Sequence, residues 1–511
     1  MGAQLIDLDA QLEAEMGCTI ARFFEQQGET AFRALEQKAL LAALDGPQSV
    51  PLVISVGGGA LLDRSTRIEV LDRATVITLS ASVDEILRRV QQQDGLAGAV
   101  RPLLAGPDPR ARIEQLLAQR QEAYRECHGE IATEGKTAQQ VAECALAIAD
   151  ENTTVVATGN DAYRVWIGAG LIEPRLPGLL AGASGTLLVS DTNVSPLHGD
   201  KARRALASSK TKSAQVLLVP GEEHKNLAGL SQIFEGAFDS GLDRKALFVG
   251  LGGGVVTDMT GFAAASWVRG VRWVAVPTTL LSMVDASVGG KTAVDFRTAK
   301  NSVGAFWQPQ GVLCDVETLL TETDRAYIGA LSEVVKTALI GDAPLLDILE
   351  QKAEMVRSRD RSLMTEVVRR CVRVKARIVA QDERESGVRA HLNLGHTIGH
   401  ALEAASGFTG LTHGEAVSLG LVAALRLGQR KGHTPEALTA RVLSLLQRLG
   451  LPYQLAHSDL VKCSQLLGHD KKRSGDSVRF IFAAEPGKVF GESTPLSEVQ
   501  AAAPGLADDA S

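Results

Sequence analysis

GGGVVTDMTGFAAASWVRGVRWVAVPTTLLSMVDASVGGKTAVDFRTAKN, residues 252–301, decides the fold of the longer part of this chain. Its glycine run follows the apolar, strand-like segment Ala246–Gly250, and Asp258 stands four residues past Gly254. Val274 and Val276 belong to a second buried strand that ends at Pro277-Thr278-Thr279. Glycines directly after a strand let backbone N–H groups approach a diphosphate, and a helix starting there adds its positive end. The spacing is not G-x-G-x-x-G, so the Rossmann fingerprint is absent. Asp285, Lys291, Lys300 and Asn301 follow, polar groups expected in a glycine-rich loop. A nucleotide site delivering into an anion site is the simplest physical account. A tight βα turn followed by solvated lysines is the alternative.

The totals bound what surrounds this stretch. At 511 residues, with 45% apolar and 22% charged residues, the chain has the composition of a soluble globular protein of two or three domains. A net charge of −7 argues against a nucleic-acid partner. Six cysteines without CxxC spacing read as reduced thiols of a cytoplasmic protein. No apolar run is long enough to span a membrane, and the N-terminus has no secretory pattern, so no membrane partner is expected.

Downstream of Ala149, the helical segment Gln139–Ile148 gives way to the β-rich VVATG and YRVWIGAG, which places a domain boundary near residue 150. Leu187–Ser190 reads as a strand ending at Asp191, and Val216–Val219 as another that runs into Pro220-Gly221-Glu222-Glu223-His224-Lys225. From Thr321 onward the pattern is almost wholly helical. Glu333 and Lys336 share one helix face, where a salt bridge is the plain reading. His396 and His400, at i and i+4, have a common metal-pair spacing, and His413 adds a third imidazole. Spacing alone does not say which of them bind metal.

Upstream, Gln4-Leu5-Ile6-Asp7-Leu8-Asp9 reads as a short strand with two acids on one side. Such a pair can hold a magnesium water shell, or be two solvated acids at a strand end. Helical patterning runs to about Ala43; strands at Val53–Val56 and Val76–Leu79 follow, the first leading into Gly57-Gly58-Gly59. The alternation implies a small parallel-sheet domain.

The motifs GGGVVTD, VPTTLL, VDASVGGKT and KNSVGAF make the longer part resemble 3-dehydroquinate synthase. That resemblance implies NAD contacts at Asp191, Glu222, Lys225, Gly253, Gly254, Asp258, Thr278, Thr279, Lys291 and Lys300. GHTIGH and HGEAV match the same family and imply Glu333, His396 and His413 as ligands of zinc or cobalt. It also implies catalytic or substrate-facing roles for Lys291, Asn301, Lys336, Lys375, Arg389, Asn393, His400 and Asp285, and for one of Lys471 or Lys472. Arg269 is implied to serve the neighbouring subunit of a homodimer. So many cations in a protein of net −7 point to an acidic sugar phosphate. Two departures stand out: the family's TLPxRE reads Thr321-Glu322-Thr323-Asp324-Arg325-Ala326 here, and AEVIK reads SEVVK.

Residues 1–148 resemble shikimate kinase through Asp7 and Asp9, the FR at Arg33, the triplet Gly57–Gly59, RPLL from Arg101, and Arg120. The resemblance implies magnesium at Asp7, shikimate at Asp9, Arg33, the triplet and Arg120, and phosphate at Arg101. Phosphoryl transfer of this kind needs a glycine-rich phosphate loop ahead of the DxD strand, and only Met1-Gly2-Ala3 stand there. This half is therefore expected to be truncated, to expose a sheet edge, and not to phosphorylate shikimate as written. Magnesium and ATP belong only to a complete kinase, through a start upstream of Met1. A scaffold or regulatory module is the alternative.

The expected fold class is α/β: a truncated P-loop-kinase-like parallel-sheet domain (1–148), an α/β dinucleotide-binding domain (151–320) and a mostly helical metal-binding domain (321–511). The implied activity converts 3-deoxy-arabino-heptulosonate 7-phosphate to 3-dehydroquinate and phosphate with transient NAD reduction, a step of aromatic amino acid biosynthesis. The alternatives are a bifunctional kinase–synthase, a related sugar-phosphate cyclase, and a metal-dependent polyol dehydrogenase, against which the cations argue.

Overall fold

The computed structural model describes residues 2–46, 50–97, 108–209, 211–297, 299–406, 410–474 and 477–508. They form two compact units, Met1–Glu151 and Asn152–Ser511.

The first unit carries strands β1 (Gln4–Asp7), β2 (Leu52–Ser55), β3 (Ile77–Ser80) and β4 (Gly129–Ala132). β1 pairs in parallel with β2, and β3 with β4, so among the described residues its sheet consists of two separate ribbons. Leu5, Val53 and Leu79 on these strands are exposed. Leu8, Leu12, Phe32, Leu40 and Val70 make the core. The paired acids differ from the sequence reading, because β1 stops at Asp7, whose side chain accepts the Ala10 N–H at 3.2 Å and caps the helix Leu8–Met16. Asp9 thus sits in the first helical turn, where strand alternation no longer applies.

The second unit is built on a seven-stranded sheet. Its strands are β5 (Thr153–Val156), β6 (Tyr163–Gly168), β7 (Gly185–Asp191), β8 (Lys212–Leu218), β9 (Leu247–Gly252) and β10 (Arg272–Pro277). A hairpin, β11 (Lys291–Phe296) with β12 (Ala299–Phe306), precedes the last sheet strand, β13 (Gly311–Asp315). The order is β5-β6-β13-β10-β9-β7-β8, all parallel except the β5–β6 pair. Alternate residues feed opposite faces: Leu187, Val189, Phe248 and Ala275 enter one core, while Leu188, Leu247, Val249 and Val274 enter the other. The first of these cores continues into the helices beyond Asp324 through Tyr327, Val334, Val335 and Ala338. Sheet and helices therefore hold a fixed relation within this unit.

Two expectations are corrected here. Asp285, Lys291, Lys300 and Asn301 do not share a glycine-rich loop. Asp285 lies in the π-helical turn Ser282–Ala286, Lys291 opens β11, and Lys300 and Asn301 lie on β12. Only Gly289 and Gly290, at φ of 101° and 66°, make the turn between them. The region beyond Thr321 also contains an antiparallel hairpin, β14 (Ser477–Glu485) with β15 (Lys488–Pro495). Phe480 and Phe482 of β14 are buried in the helical core, and tertiary packing outweighs the helical surroundings.

Candidate active site

In the sheet, β7 leads outward to β8 on one side, whereas β9 and β10 add on the other. A reversal of this kind opens a crevice at the strands' carboxyl ends. The crevice is present as a cleft of about 390 Å³, whose lining includes Asp191 from the end of β7, Gly253 and Gly254 after β9, and Thr278 and Thr279 after β10. Gly254 begins the helix Gly254–Ser266, with Gly253 as its cap, so free N–H groups face the cleft. Asp191 accepts the N–H groups of Asn193 and Val194, both at 2.8 Å, which fixes the turn after β7.

Lys225 is buried and donates to Asp258 at 2.6 Å and also to Asn301. Burial pushes the Asp258 carboxyl up to about 6 against the pull of Lys225. Glu222 begins the 3₁₀ turn that leads into Lys225. Two groups that sequence reasoning did not single out as site residues also line the cleft, His198 and Glu322. His198 Nε2 lies 2.7 Å from Thr321 Oγ1, and Glu322 accepts the Leu280 N–H at 3.0 Å. Burial raises the Glu322 carboxyl to about 7.

The opposite wall of the cleft is helical and includes His413. Three helices meet there: Asp324–Gly341 with Glu333, His396–Ala405 with His396, and His413–Arg430 with His413. Glycines set how closely they cross. A Cβ on Gly420 would fall 2.1 Å from the Gly395 carbonyl oxygen, and one on Gly414 would fall 2.2 Å from that of Gly329. The closeness brings ligand atoms of Glu333, His396 and His413 within 4.8 Å of one another. Both imidazoles present Nε2 to Glu333 Oε1 at 3.5 Å.

That Oε1 is buried and has no hydrogen-bond partner, a state that costs on the order of 1–3 kcal/mol. The carboxylate's other oxygen pairs with Lys336. Burial, then Lys336, pushes His396 down to about 3; burial opposes protonation of His413 too, yet Glu333 and Glu403 raise it to about 9. One carboxylate and two imidazoles around an unsatisfied buried oxygen fit a divalent ion such as zinc, with positions left for a hydroxylated ligand. His400, its ring centroid 5.1 Å from that of His396, stands at the exposed edge of this group.

The cations reach this region from several elements. Lys336 is 2% exposed, so the pair with Glu333 is a buried one and not a solvated helix face. Lys375 donates to the carboxylate and carbonyl of Asp285. Lys291 pairs with Glu385, which also accepts from Asn393 at 3.1 Å. Arg389 is buried and donates to the carbonyls of Gly289 and Glu383, while its Nε has no partner. Arg269 is exposed at a left-handed φ of 71°. Lys471 and Lys472 belong to the helix His457–Ser474, with side chains outside the described set. Glu385 and Glu403 escaped sequence reasoning because isolated carboxylates carry no periodic signal.

In the first unit the glycine triplet gathers the expected residues. A Cβ on Gly57 would lie 3.3 Å from Asp9, one on Gly58 3.1 Å from Arg120, and one on Gly59 2.4 Å from Arg33. Glu36, buried and paired with Arg33 at 2.6 Å, is an unanticipated member. Asp7 serves as a helix cap, and Arg101 lies outside the described residues.

The second unit thus has the architecture of a dinucleotide-fold enzyme whose helical half carries a carboxylate–bis-histidine centre. Family models described as 3-dehydroquinate synthase N-terminal and C-terminal match residues 215–329 and 330–473, and one described as shikimate kinase matches residues 1–159. The 3-dehydroquinate synthase of Geobacter sp. strain M21 is 43% identical over 329 residues, covering 64% of this chain and 91% of the relative. That of Neisseria meningitidis serogroup C is 42% identical over 331 residues, 64% of this chain and 92% of its own. The chain belongs to the 3-dehydroquinate synthase family, enzymes of the carbon–oxygen lyase class, with a shikimate-kinase-like region ahead of the synthase. Among solved structures, 2-epi-5-epi-valiolone synthase from Streptomyces hygroscopicus subsp. jinggangensis, with NAD+ and Zn2+ bound, matches at TM-score 0.61 and 28% identity, covering 67% of this chain and 96% of that one. A 2-deoxy-scyllo-inosose synthase shares the fold at TM-score 0.61 and 23% identity, over 69% of this chain and 99% of its own. Among the described residues no helix is long and apolar enough to cross a membrane.

Proposed function

We propose that this chain converts 3-deoxy-arabino-heptulosonate 7-phosphate to 3-dehydroquinate and phosphate, using NAD and a zinc or cobalt ion in the cleft of its second unit. One observation carries the reading: His413, beside an unsatisfied buried Glu333 oxygen, lines the same cleft as Gly254 and Thr278. A hydride acceptor and a metal-polarised hydroxyl are then within one pocket. The valiolone synthase relative, with NAD+ and Zn2+ bound, supports this choice of cofactors.

When bound, NAD+ would take and return a hydride while the ion polarises the reacting hydroxyl. Glu333, His396 and His413 hold the ion. Asp191, Gly253, Gly254, Thr278 and Thr279 cradle the dinucleotide, with Glu222, Lys225, Asp258 and Lys300 behind them. Lys291, Lys336, Lys375 and Arg389 supply positive charge for the carboxylate and phosphate, and Asn301, Asn393 and His400 orient the hydroxyls. Asp285 keeps Lys375 in place. Arg269, exposed on its own subunit, completes the site of a second copy in a homodimer. We place the protein in the cytoplasm and its working domains at residues 1–148, 151–320 and 321–511.

Phosphate release from the heptulosonate phosphate, dependent on NAD and a divalent ion and without accumulation of NADH, is the expected result. Net NADH production on an uncharged polyol would replace this reading with a dehydrogenase. Equal turnover of a hexose phosphate would replace it with a cyclase of another substrate.

A further inference from the structure

Glu403 sits two helical turns after His396 and three residues after His400, and is 6% exposed. Its Oε1 accepts Lys300 Nζ at 2.7 Å. Its Oε2 lies 3.5 Å from His413 Nδ1, the ring nitrogen that faces away from Glu333. A neutral imidazole has one N–H and one lone pair, and whatever accepts the N–H decides which nitrogen is left to bind an ion. His396 shows the same layout, with Nδ1 at 3.3 Å from the Leu394 carbonyl and Nε2 toward Glu333. Each histidine therefore has an acceptor at its back and the centre at its front.

We propose that Glu403 is a positioning residue that holds the hydrogen of His413 on Nδ1, aims Nε2 at the divalent ion, and ties Lys300 to the same carboxylate. The inference rests on the metal centre proposed above. Its second consequence is mechanical. Lys300 belongs to β12, beside Asn301, which in turn accepts from Lys225 of the nucleotide wall. One buried carboxylate thus connects the metal wall of the cleft to the hairpin and, through it, to the dinucleotide wall. A buried carboxylate is stable only with such partners, so its two oxygens are committed to these tasks.

The test uses the full chain, stripped of metal, as wild type, Glu403→Gln and Glu403→Asp. Zinc affinity is read by competition with a chromophoric chelator, the cobalt form by its visible spectrum, and folding by the thermal midpoint of the metal-free protein. Glutamine keeps the shape but cannot serve both partners as an anion, and aspartate keeps the charge but falls one methylene short. The expected result is about 10–100-fold weaker zinc binding in both folded variants, with altered cobalt bands. Wild-type affinity in either folded variant overturns the role of Glu403 and leaves the metal centre standing. Failure of both variants to fold also overturns it, since the carboxylate would then be structural. A wild-type protein that takes up no zinc overturns the metal centre, and the inference with it.

Discussion

Lys225, almost fully buried, donates to Asp258 and Asn301 at once. Asp258→Asn removes the counter-charge but leaves the ammonium in place. Breaking a buried pair from one side costs about 3–5 kcal/mol, so a loss of that size is expected in the urea unfolding free energy. Glu322, like Asp258, is a carboxyl raised by burial. Its pKa is about 7 in the folded chain against 4.5 when free, so folding takes up a proton between those values. Its contribution to stability therefore falls as pH rises from about 4.5 to about 7, and the penalty is complete above. Glu322→Gln should remove that slope in pH-dependent urea denaturation and gain stability relative to wild type above pH ~7. A variant whose pH profile overlays the wild type would show that Glu322 does not titrate there. At this scale spacing pointed to the glycines after β9 and to a cluster of histidines, and the family resemblance, not spacing, singled out His396 and His413 over His400. Glu322, Glu385 and Glu403 were not legible, since each acquires its role only when another segment closes over it.

The helix crossings convert these residues into a site. Gly414 and Gly420 point to different sides of the His413 helix, Gly414 against Gly329 of the Glu333 helix and Gly420 against Gly395, the cap of the His396 helix. Gly414→Ala and Gly420→Ala insert a methyl where a neighbouring carbonyl oxygen already stands, so the helices must part. Overpacking costs about 1–3 kcal/mol, and the displacement also separates Glu333, His396 and His413. Both substitutions should lower the melting temperature and weaken zinc binding together. A lowered melting temperature with unchanged zinc affinity would mean that the ligands do not depend on these crossings. The strands of the seven-stranded sheet other than β13 could be read from their apolar runs, since strands packed within a sheet need them. The β11–β12 and β14–β15 hairpins could not. Their polar or mixed residues resemble loop and helix until cross-strand partners are present, and β12 is largely exposed.

Across the whole molecule, the two units differ in what closes them. The second has a sheet covered on both faces, with every residue of its two hydrophobic clusters at or beyond Val156. The first has, among the described residues, two separate parallel ribbons and a small cluster within Leu8–Val76. Its shikimate-kinase likeness was plain from the glycine triplet and the arginines, and Gly57–Gly59, Asp9, Arg33 and Arg120 do gather in space. Gathering a substrate pocket is not enough for phosphoryl transfer, which requires backbone N–H groups and a lysine around the ATP phosphates. Residues 1–511 contain no GxxxxGK[ST] segment. The second unit should not need its companion for chemistry, since Glu333, His396, His413 and the residues lining the cleft all belong to it. A fragment spanning Asn152–Ser511 is expected to release phosphate from the heptulosonate phosphate at a rate within about twofold of the full chain. Loss of more than about tenfold in kcat, with zinc and NAD affinities intact, would show that the first unit sustains the second, and would give the kinase-like region a role in supporting the synthase.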